Sequence, residues 1–342
     1  MTIRVLVIDD SPTMRAILMS RLSEQPDISV IGTASNAADG REMIKRFNPD
    51  VVTLDIEMPG MNGLDFLEKI MTLRPMPVII VSGATQEGNE TTARALALGA
   101  VDCYSKFDPS GKLDIGDNGR LAALIRLAAQ VTFNRGQQAA VASVVEQSRR
   151  SIDGDIKLIA VGSSTGGVEA LQILLSEFPD DCPPTMIVQH VNPRFASAIA
   201  RTLDSACPAR VQIAEADMPV RPGNVYLAPG GDQHLKVGGT RTLRTKLRAG
   251  EPVSGHLPSV DALFLSVAEV VGAQAVGILL TGMGADGAKG LLAMHRAGAH
   301  TIAQDEATCT VFGMPRAAIS LGAARVIAPI NRIARHALTK AA

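Results

Sequence analysis

Aromatic residues are scarce in this chain. Phe, Tyr and Trp together make up 3% of its 342 residues, and Trp is absent. Hydrophobic residues nevertheless amount to 46% of the sequence, which is enough for a sizeable interior. We therefore expect the core to be filled by Val, Ile, Leu, Ala and Met side chains.

Long apolar runs and closely spaced cysteines are also missing. No apolar run approaches the roughly 20 residues that a membrane-spanning helix needs, and the N-terminus enters a predicted strand at once, without a signal-peptide pattern. The four cysteines show no metal-ligand spacing, which favours reduced thiols; they are Cys103, Cys182, Cys207 and Cys309. The sequence predicts a cytoplasmic protein with no direct membrane insertion.

An excess of charge of either sign is lacking as well. The chain has 33 basic and 34 acidic residues, for a formal net charge of −1. Proteins that bind nucleic acid without sequence preference owe most of their affinity to Lys and Arg side chains that contact phosphates. This composition therefore predicts no nucleic-acid partner.

The length of the chain and the alternation of its patterns indicate two domains. A single core would be unusually large for 342 residues. Short aliphatic runs alternate with helical patterns in both halves, which is typical of α/β folds with doubly wound, mostly parallel sheets. We predict a (βα)5 domain over 1–133, a linker over 134–153, and an α/β/α domain of the hydrolase type over 154–342.

Chemically compatible side chains follow the predicted strands of the first domain. They should meet at one edge of a parallel sheet, and they are Asp9, Asp10, Asp55, Ser82 and Lys106. Because three converging carboxylates repel each other, a divalent cation is expected among them. The Lys and Ser side chains could then hold a phosphoryl group on one carboxylate. Alternatively, each Asp or Ser merely caps the helix that follows it.

Three motifs of this domain resemble the response-regulator receiver family. They are Val-Ile-Asp-Asp-Ser at 7–11, Asp-Ile-Glu-Met-Pro-Gly-Met-Asn-Gly at 55–63, and Ser-Gly-Ala at 82–84. The resemblance implies that Asp55 accepts a phosphoryl group from a chemotaxis histidine kinase. It also implies that Mg²⁺ binds to Asp10, Asp55 and the backbone carbonyl of Glu57, with Asp9 just outside these ligands. Ser82 and Lys106 would sense the phosphoryl group.

Two positions depart from the receiver pattern. The residue three before the lysine is usually aromatic in that family and here is Cys103, while the residue after the lysine is usually Pro and here is Phe107. A cis peptide bond before a residue other than Pro costs about 2.5–4 kcal/mol. We therefore predict a trans bond between Lys106 and Phe107. Tyr104 should not replace the missing aromatic residue, because adjacent strand residues point to opposite faces.

The second domain is organised around residues 158–167, Leu-Ile-Ala-Val-Gly-Ser-Ser-Thr-Gly-Gly. An aliphatic run followed by small residues and a helical pattern predicts a strand, a sharp turn and a helix. A hydroxyl at such a turn lies at the ligand-binding edge of the sheet, near helix N–H groups. The turn could expose either Ser163 or Ser164, or it could instead cradle a phosphate.

Two later segments offer partners for a nucleophilic serine. His190 follows a predicted strand over 185–189, and Asp286 lies in a Gly-rich loop after a predicted strand over 275–280. The order Ser, His, Asp fits a nucleophile, a base and an orienting carboxylate. His256, in the loop Ser-Gly-His-Leu-Pro-Ser at 254–259, is a second candidate for the base. A polar surface histidine and a helix-capping aspartate are the simpler alternatives.

A basic hairpin is predicted over 234–244, with its turn at Gly238-Gly239. The residues that make it basic are Arg241, Arg244, Lys246 and Arg248. These charges could protect an exposed strand edge from pairing with other chains. They could also dock an acidic partner.

The segments 162–167, 189–190, 256–261 and 281–287, placed behind a receiver and a linker, resemble the chemotaxis protein-glutamate methylesterases. The resemblance implies a triad of Ser164, His190 and Asp286. It implies removal of methyl esters from glutamate side chains of methyl-accepting chemoreceptors, deamidation of receptor glutamines, activation by phosphorylation, and no cofactor for hydrolysis.

Backbone N–H groups of Thr165 and Met283 are our prediction for the oxyanion hole. We expect a monomer. A phosphorylation-regulated protein whose second domain binds a nucleotide or DNA is the alternative. The phosphate-cradle interpretation of the glycine-rich turn favours the first of these, but neither requires His190 or Asp286.

Overall fold

The computed structural model describes residues 2–58, 62–83, 86–107, 119–131, 156–239 and 241–339. The chain divides into two compact units, Met1–Arg135 and Gly136–Ala342. The predicted linker over 134–153 lies outside the described residues. No helix among them is both long enough and apolar enough to cross a bilayer.

The first unit contains a five-stranded parallel sheet with the order β2-β1-β3-β4-β5. Its strands are β1 (Ile3–Ile8), β2 (Ile28–Ala34), β3 (Val51–Asp55), β4 (Val78–Ser82) and β5 (Asp102–Ser105). Its helices are α1 (Pro12–Ser23), α2 (Ala37–Phe47), α3 (Gly63–Leu73), α4 (Gln86–Ala97) and α5 (Arg120–Ala128). The predicted α/β class and (βα)5 order of this half are confirmed.

Local signals set the start of α1, which positions the first acidic pair. The Ser11 hydroxyl accepts a hydrogen bond from the backbone N–H of Met14, and Pro12 occupies the first helical position, where no N–H is needed. Strand β1 is buried along its second half, so its carboxyl end delivers Asp9 and Asp10 directly to the helix start.

The second unit contains a seven-stranded, wholly parallel sheet with the order β14-β13-β12-β6-β7-β9-β8. Its strands are β6 (Leu158–Ser163), β7 (Thr185–Gln189), β8 (Arg210–Ile213), β9 (Asn224–Leu227), β12 (Ala275–Leu279), β13 (His300–Gln304) and β14 (Val326–Ala328). Its helices are α6 (Gly167–Ser176), α7 (Pro193–Ala206), α8 (Val260–Val270), α9 (Ala288–Arg296), α10 (Met314–Ser320) and α11 (Ile330–Leu338). The predicted fold class is confirmed here too.

Strand β6 is the first strand of this unit and lies in the middle of its sheet. The next strand, β7, pairs on one side, and β12 pairs on the other. The strand order therefore reverses at β6, and open α/β sheets bind ligands at the carboxyl ends beside such a reversal. All six residues of β6 are buried, which explains its nearly continuous aliphatic sequence.

The predicted hairpin is present as a separate two-stranded antiparallel sheet, formed by β10 (Gln233–Gly238) and β11 (Arg244–Ala249). Neither edge of this sheet is open. The chain at 217–220 exchanges backbone hydrogen bonds with β11 and the residue before it, while the backbone N–H of Val237 in β10 donates to the Ser266 hydroxyl of α8. These contacts cover part of both edges of the hairpin. Two of them, Arg244 and Lys246, pair with Asp217.

The peptide bond between Lys106 and Phe107 is trans, as predicted, because the one cis bond of the described residues joins Leu257 and Pro258. Beside it, Tyr104 is fully buried and its hydroxyl bonds with the Arg21 guanidinium of α1. Tyr104 is thus held by a helix contact and does not take the place of the aromatic residue that Cys103 replaces.

Candidate functional site

The carboxyl edge of the first sheet brings together the predicted acidic residues. One carboxylate oxygen from each of Asp9, Asp10 and Asp55 lies within 4.8 Å of the others. Lys106 Nζ lies 2.6 Å from Asp55 Oδ2 and 3.0 Å from Asp9 Oδ2, so the lysine bridges two of the three carboxylates. The side chain of Ser82, at the end of β4, lies outside the described part of the structure.

Burial and charge act in opposite directions on this cluster. Burial raises the pKa of Asp55 to about 6, although the Lys106 ammonium pulls it the other way. Burial would lower the pKa of Lys106, but the carboxylates of Asp55 and Asp9 outweigh it and raise that pKa. A cation placed among the carboxylates would stabilise the ionised form of Asp55.

The donor set of this cluster fits Mg²⁺. Carboxylate oxygens are the ligands that hard divalent cations prefer, and three of them converge here. Asp55 Oδ1 accepts a hydrogen bond from the backbone N–H of Glu57, which fixes the carboxylate and the chain after it. Asp10 and Asp55, together with the Glu57 carbonyl, would hold the ion.

In the second unit, the structure separates the two serines that the sequence left open. Ser163 is fully buried, and its hydroxyl donates to Gln189 Oε1 at 2.6 Å. Ser164 is half-buried at the end of β6. The hydroxyl of Ser163 therefore supports the strand, while that of Ser164 lies at the edge of the sheet where a substrate can reach it.

The backbone around Ser164 is held from both neighbouring strands. Its N–H donates to the Thr281 carbonyl at 3.0 Å, which continues the ladder from β12. On the other side, the Gln189 side-chain amide donates to the carbonyls of Ser164, at 2.8 Å, and His190, at 2.9 Å. Because Ser163 is paired with Gln189 in the sheet register, Ser164 and His190 are neighbours one step further along.

The imidazole of His190 is bound to the carboxylate of Asp286. Its Nε2 lies 2.9 Å from Asp286 Oδ2, and its Nδ1 is buried and has no hydrogen-bond partner among the described residues. Asp286 only accepts, so Nε2 carries the proton and Nδ1 is left as an acceptor. Burial lowers the pKa of His190, and the bond to Asp286 offsets part of that effect. This is the state of a neutral base.

Asp286 is held by the N-terminus of α8 as well as by His190. Burial alone would raise its pKa, but the hydrogen bonds to the carboxylate outweigh burial and lower it. The donors are His190 Nε2, the Ser259 hydroxyl, and the backbone N–H groups of Val260, Asp261 and Gly287, all at 2.8–3.0 Å. The carboxylate is therefore ionised and fixed in position.

His256 stacks on His190. The two ring centroids are 3.9 Å apart, and the ring planes are parallel to within 1°. His256 Nδ1 lies 4.0 Å from Asp286 Oδ2 and 3.0 Å from the Ser254 carbonyl. Ligand atoms of the two histidines and Asp286 are close enough to share a metal ion. Both carboxylate oxygens already accept several hydrogen bonds, however, so an ion would have to displace them.

The glycines at the end of β6, in the turn after it and at the start of α6 are surrounded by protein. A Cβ on Gly162 would overlap the Val260 side chain, and one on Gly166, which has φ +72°, would overlap Thr310. A Cβ on Gly167 would overlap the Gln189 amide. These glycines allow the close approach of neighbouring segments, which is a different use from an open phosphate cradle.

One predicted oxyanion donor, Thr165, directly follows Ser164 in the turn after β6. The other, Met283, lies in the loop after β12. Thr165 is 6% exposed, and its carbonyl accepts from the Thr281 hydroxyl. The side chain of Met283 is 53% exposed, directly after Gly282, whose carbonyl accepts from the N–H groups of Gly313 and Met314. Their role as oxyanion donors remains a prediction.

Ser259 and Gln189 hold the site residues in place, and the sequence did not indicate this role for either of them. Ser259 caps α8, with its hydroxyl accepting from the N–H of Ala262, and it also donates to Asp286. A Ser directly before the helical pattern at 260–270 is typical of a helix N-cap, so this part of the role could have been predicted. The link to Asp286 had no such sign, because it joins residues 27 positions apart.

Family comparisons agree with this geometry. The model of the CheB methylesterase family matches residues 159–337, and the response regulator receiver domain model matches residues 5–113. The chain belongs to the CheB methylesterase family. The predicted family is thereby confirmed for both units, and a nucleotide- or DNA-binding second domain is not favoured.

Relatives of this CheB methylesterase match it along nearly its whole length. The chain is 53% identical to protein-glutamate methylesterase/protein-glutamine glutaminase 1 of Caulobacter vibrioides, over 94% of this chain and 93% of that protein. It is 52% identical to the protein-glutamate methylesterase/protein-glutamine glutaminase of Rhizobium etli, over 98% and 95%. The crystal structure of the Thermotoga maritima CheB methylesterase catalytic domain is 34% identical, covers 54% of this chain and 97% of its own, and superposes with a TM-score of 0.52.

Proposed function

We propose that this enzyme hydrolyses methyl esters of glutamate side chains on chemoreceptors and deamidates receptor glutamines, with Ser164 as nucleophile. The observation that carries the proposal is the half-buried imidazole of His190, which is bound to Asp286 and lies beside Ser164 at the end of the adjacent strand. Methanol release from receptor membranes that carry labelled methyl esters tests it directly.

The reaction follows from this arrangement. His190 Nδ1 takes the proton of the Ser164 hydroxyl as its oxygen attacks the ester carbonyl, and Asp286 stabilises the imidazolium that forms. The imidazolium then returns the proton to the leaving methoxide, which departs as methanol. Water, deprotonated in the same way, hydrolyses the acyl-enzyme to free glutamate and Ser164. The N–H groups of Thr165 and Met283 stabilise the oxyanion of each tetrahedral intermediate.

The same steps serve a glutamine amide, from which ammonia leaves in place of methanol. Apart from water, the chemistry uses only groups of the chain, and no cofactor takes part in hydrolysis. The enzyme works as a cytoplasmic monomer on receptor segments that face it, without inserting into the membrane or binding nucleic acid.

Phosphorylation of Asp55 by a chemotaxis histidine kinase activates the enzyme in this proposal. Asp10, Asp55 and the Glu57 carbonyl would hold Mg²⁺, which would supply positive charge beside the transferred phosphoryl group. Asp9 lies beside these ligands. Lys106, which now bridges Asp9 and Asp55, would re-pair with the phosphoryl oxygens, and Ser82 would contribute a hydroxyl.

The change Asp55→Asn should remove activation while leaving basal hydrolysis intact. An amide cannot accept the phosphoryl group, and it also removes one carboxylate from the cation cluster. We expect beryllofluoride with Mg²⁺ to stimulate methanol release by the unmodified protein and to have no effect on the variant. Asp50→Asn, a change to an exposed carboxylate that accepts a bond from the Arg4 N–H, is the matched control. Stimulation of Asp55→Asn would contradict the assignment.

The acid limb of the pH profile should lie below the ordinary range of histidine. A base acts when it is deprotonated, and burial lowers the pKa of His190, so activity persists to lower pH than an exposed imidazole, with pKa of about 6.5, would allow. The profile of kcat/KM is best recorded in the Asp55→Asn background, because Asp55 itself has a pKa of about 6. A midpoint above about 7 would show that His190 is not a desolvated base.

A further inference from the structure

A tight turn over 253–256 sets the position of the His256 ring. The turn over 253–256 is closed by reciprocal backbone hydrogen bonds between Val253 and His256, each of 3.0 Å. Ser254, with φ +52°, and Gly255, with φ +82°, lie in the left-handed region. That conformation is unfavourable for Ser, and strained residues of this kind concentrate at functional sites.

The same turn is fixed to the helix end that holds the catalytic carboxylate. The Ser254 hydroxyl donates to Asp261 Oδ2 at 2.6 Å. Asp261 Oδ1 accepts from the N–H of Gly290 at 2.7 Å, and the Asp261 N–H donates to Asp286. His256 and Asp286 are therefore held to one rigid element, the first turn of α8, so their spacing around His190 is set by the fold.

The hydrogen bonds define the state of the His256 ring. The Ser254 carbonyl only accepts, so Nδ1 of His256 carries a proton and donates to it. The side chain of His256 is 38% exposed. Its ring covers one face of His190, whose own side chain is 10% exposed.

We propose that His256 is a positioning residue for His190: its stacked ring fixes the plane of the catalytic imidazole and keeps water from one face. This inference rests on the proposed function, in which His190 is the base. His190 has one edge bound to Asp286 and one face against His256, with the ring centroids 3.9 Å apart. Among the described residues, Nδ1 is then the one nitrogen of His190 without a hydrogen-bond partner.

Hydrogen bonds among the described residues connect the ring pair to other side chains of the site. Asp286 faces both imidazoles, and Asp261 is reached through Ser254. His234 of β10 accepts from the Ser259 N–H through Nδ1, next to the Asp286 contact. The stacked pair is therefore held by the same network that fixes the carboxylate.

The test compares His256→Ala with His256→Phe in the full-length chain. Removing the ring should lower kcat by about tenfold to a hundredfold, since misplacing a catalytic group by about 1 Å has effects of that size, while KM stays within about twofold. Phe restores a stacked ring without a charge and should recover most of kcat at pH 8.

The control variant is His336→Ala, which removes a half-buried histidine of α11 and should leave kcat and the pH profile unchanged. A second readout is the downfield proton resonance of His190 Nε2–H bound to Asp286, which should broaden or disappear in His256→Ala and persist in His256→Phe. Thermal midpoints identify any variant that fails to fold. If His256→Ala does not fold, kcat and the proton resonance of His256→Phe decide the role of the stacked ring.

Failure of this inference differs from failure of the proposed function. If Ser164→Ala is inactive while His256→Ala matches the unmodified enzyme in kcat, pH profile and proton resonance, the role of His256 is wrong and the triad stands. If His256→Phe is as impaired as His256→Ala, stacking is not what His256 supplies. If Ser164→Ala retains full activity, the proposed function is wrong and this role falls with it.

Discussion

Replacing Ser164 by Ala should abolish methanol release, whereas replacing Ser163 by Ala should leave most of it. Loss of a nucleophile typically lowers the rate by about 10³-fold or more, because no other group can form the acyl-enzyme. Ser163 donates to Gln189 from a fully buried position. Its removal should cost about 1–3 kcal/mol of stability through the unpaired amide oxygen and only a small part of the activity.

The pair is a matched control, since the two variants remove the same atom at adjacent positions. Methanol release from labelled receptor membranes and the thermal midpoint of each variant are the two measurements. Equal loss of activity in both, with unchanged folding, would contradict the assignment of Ser164. A burst of methanol equal to the enzyme concentration in the unmodified protein would support the acyl-enzyme directly.

The second large effect is expected for Asp286→Asn. The Asp286 carboxylate accepts hydrogen bonds from five donors. Asn places an NH₂ group where some of them point, so it disturbs the orientation of His190 and cannot stabilise the imidazolium. We expect kcat to fall by about 10³–10⁴-fold, as when the orienting carboxylate of other triads is replaced.

A control for this variant is Asp204→Asn, which alters a carboxylate of α7 that accepts the backbone N–H of Val211 and, among the described residues, has no hydrogen bond to a triad residue. That variant should keep its activity. Circular dichroism and thermal melting show whether Asp286→Asn still folds. Activity of the folded Asp286→Asn within tenfold of the unmodified enzyme would mean that His190 is oriented by other groups.

Much of the fold was accessible from the sequence because its strands are short aliphatic runs separated by clear helical patterns. Strand β7 has the predicted bounds, 185–189. Strand β14 was missed. It has three residues, and only the last is buried, so it has almost no pattern to detect.

The site was accessible in part, because parallel strands deliver their following residues to one edge. That rule placed Ser164, His190 and Asp286 together before their contacts were known. It could not separate Ser164 from Ser163, since the distinction depends on which hydroxyl meets the Gln189 amide. It also left His256 as a rival base, because a stack of two rings from segments 66 positions apart leaves no local pattern.

The central place of β6 has a consequence for biosynthesis. This strand is made first in its domain, but one of its two partners, β12, begins only at Ala275. Pairing of such distant segments closes a long loop and forms late during folding. A growing chain on the ribosome therefore holds Ser164 without its carboxylate until most of the domain has emerged. We therefore expect esterase activity to appear only when the sheet is complete.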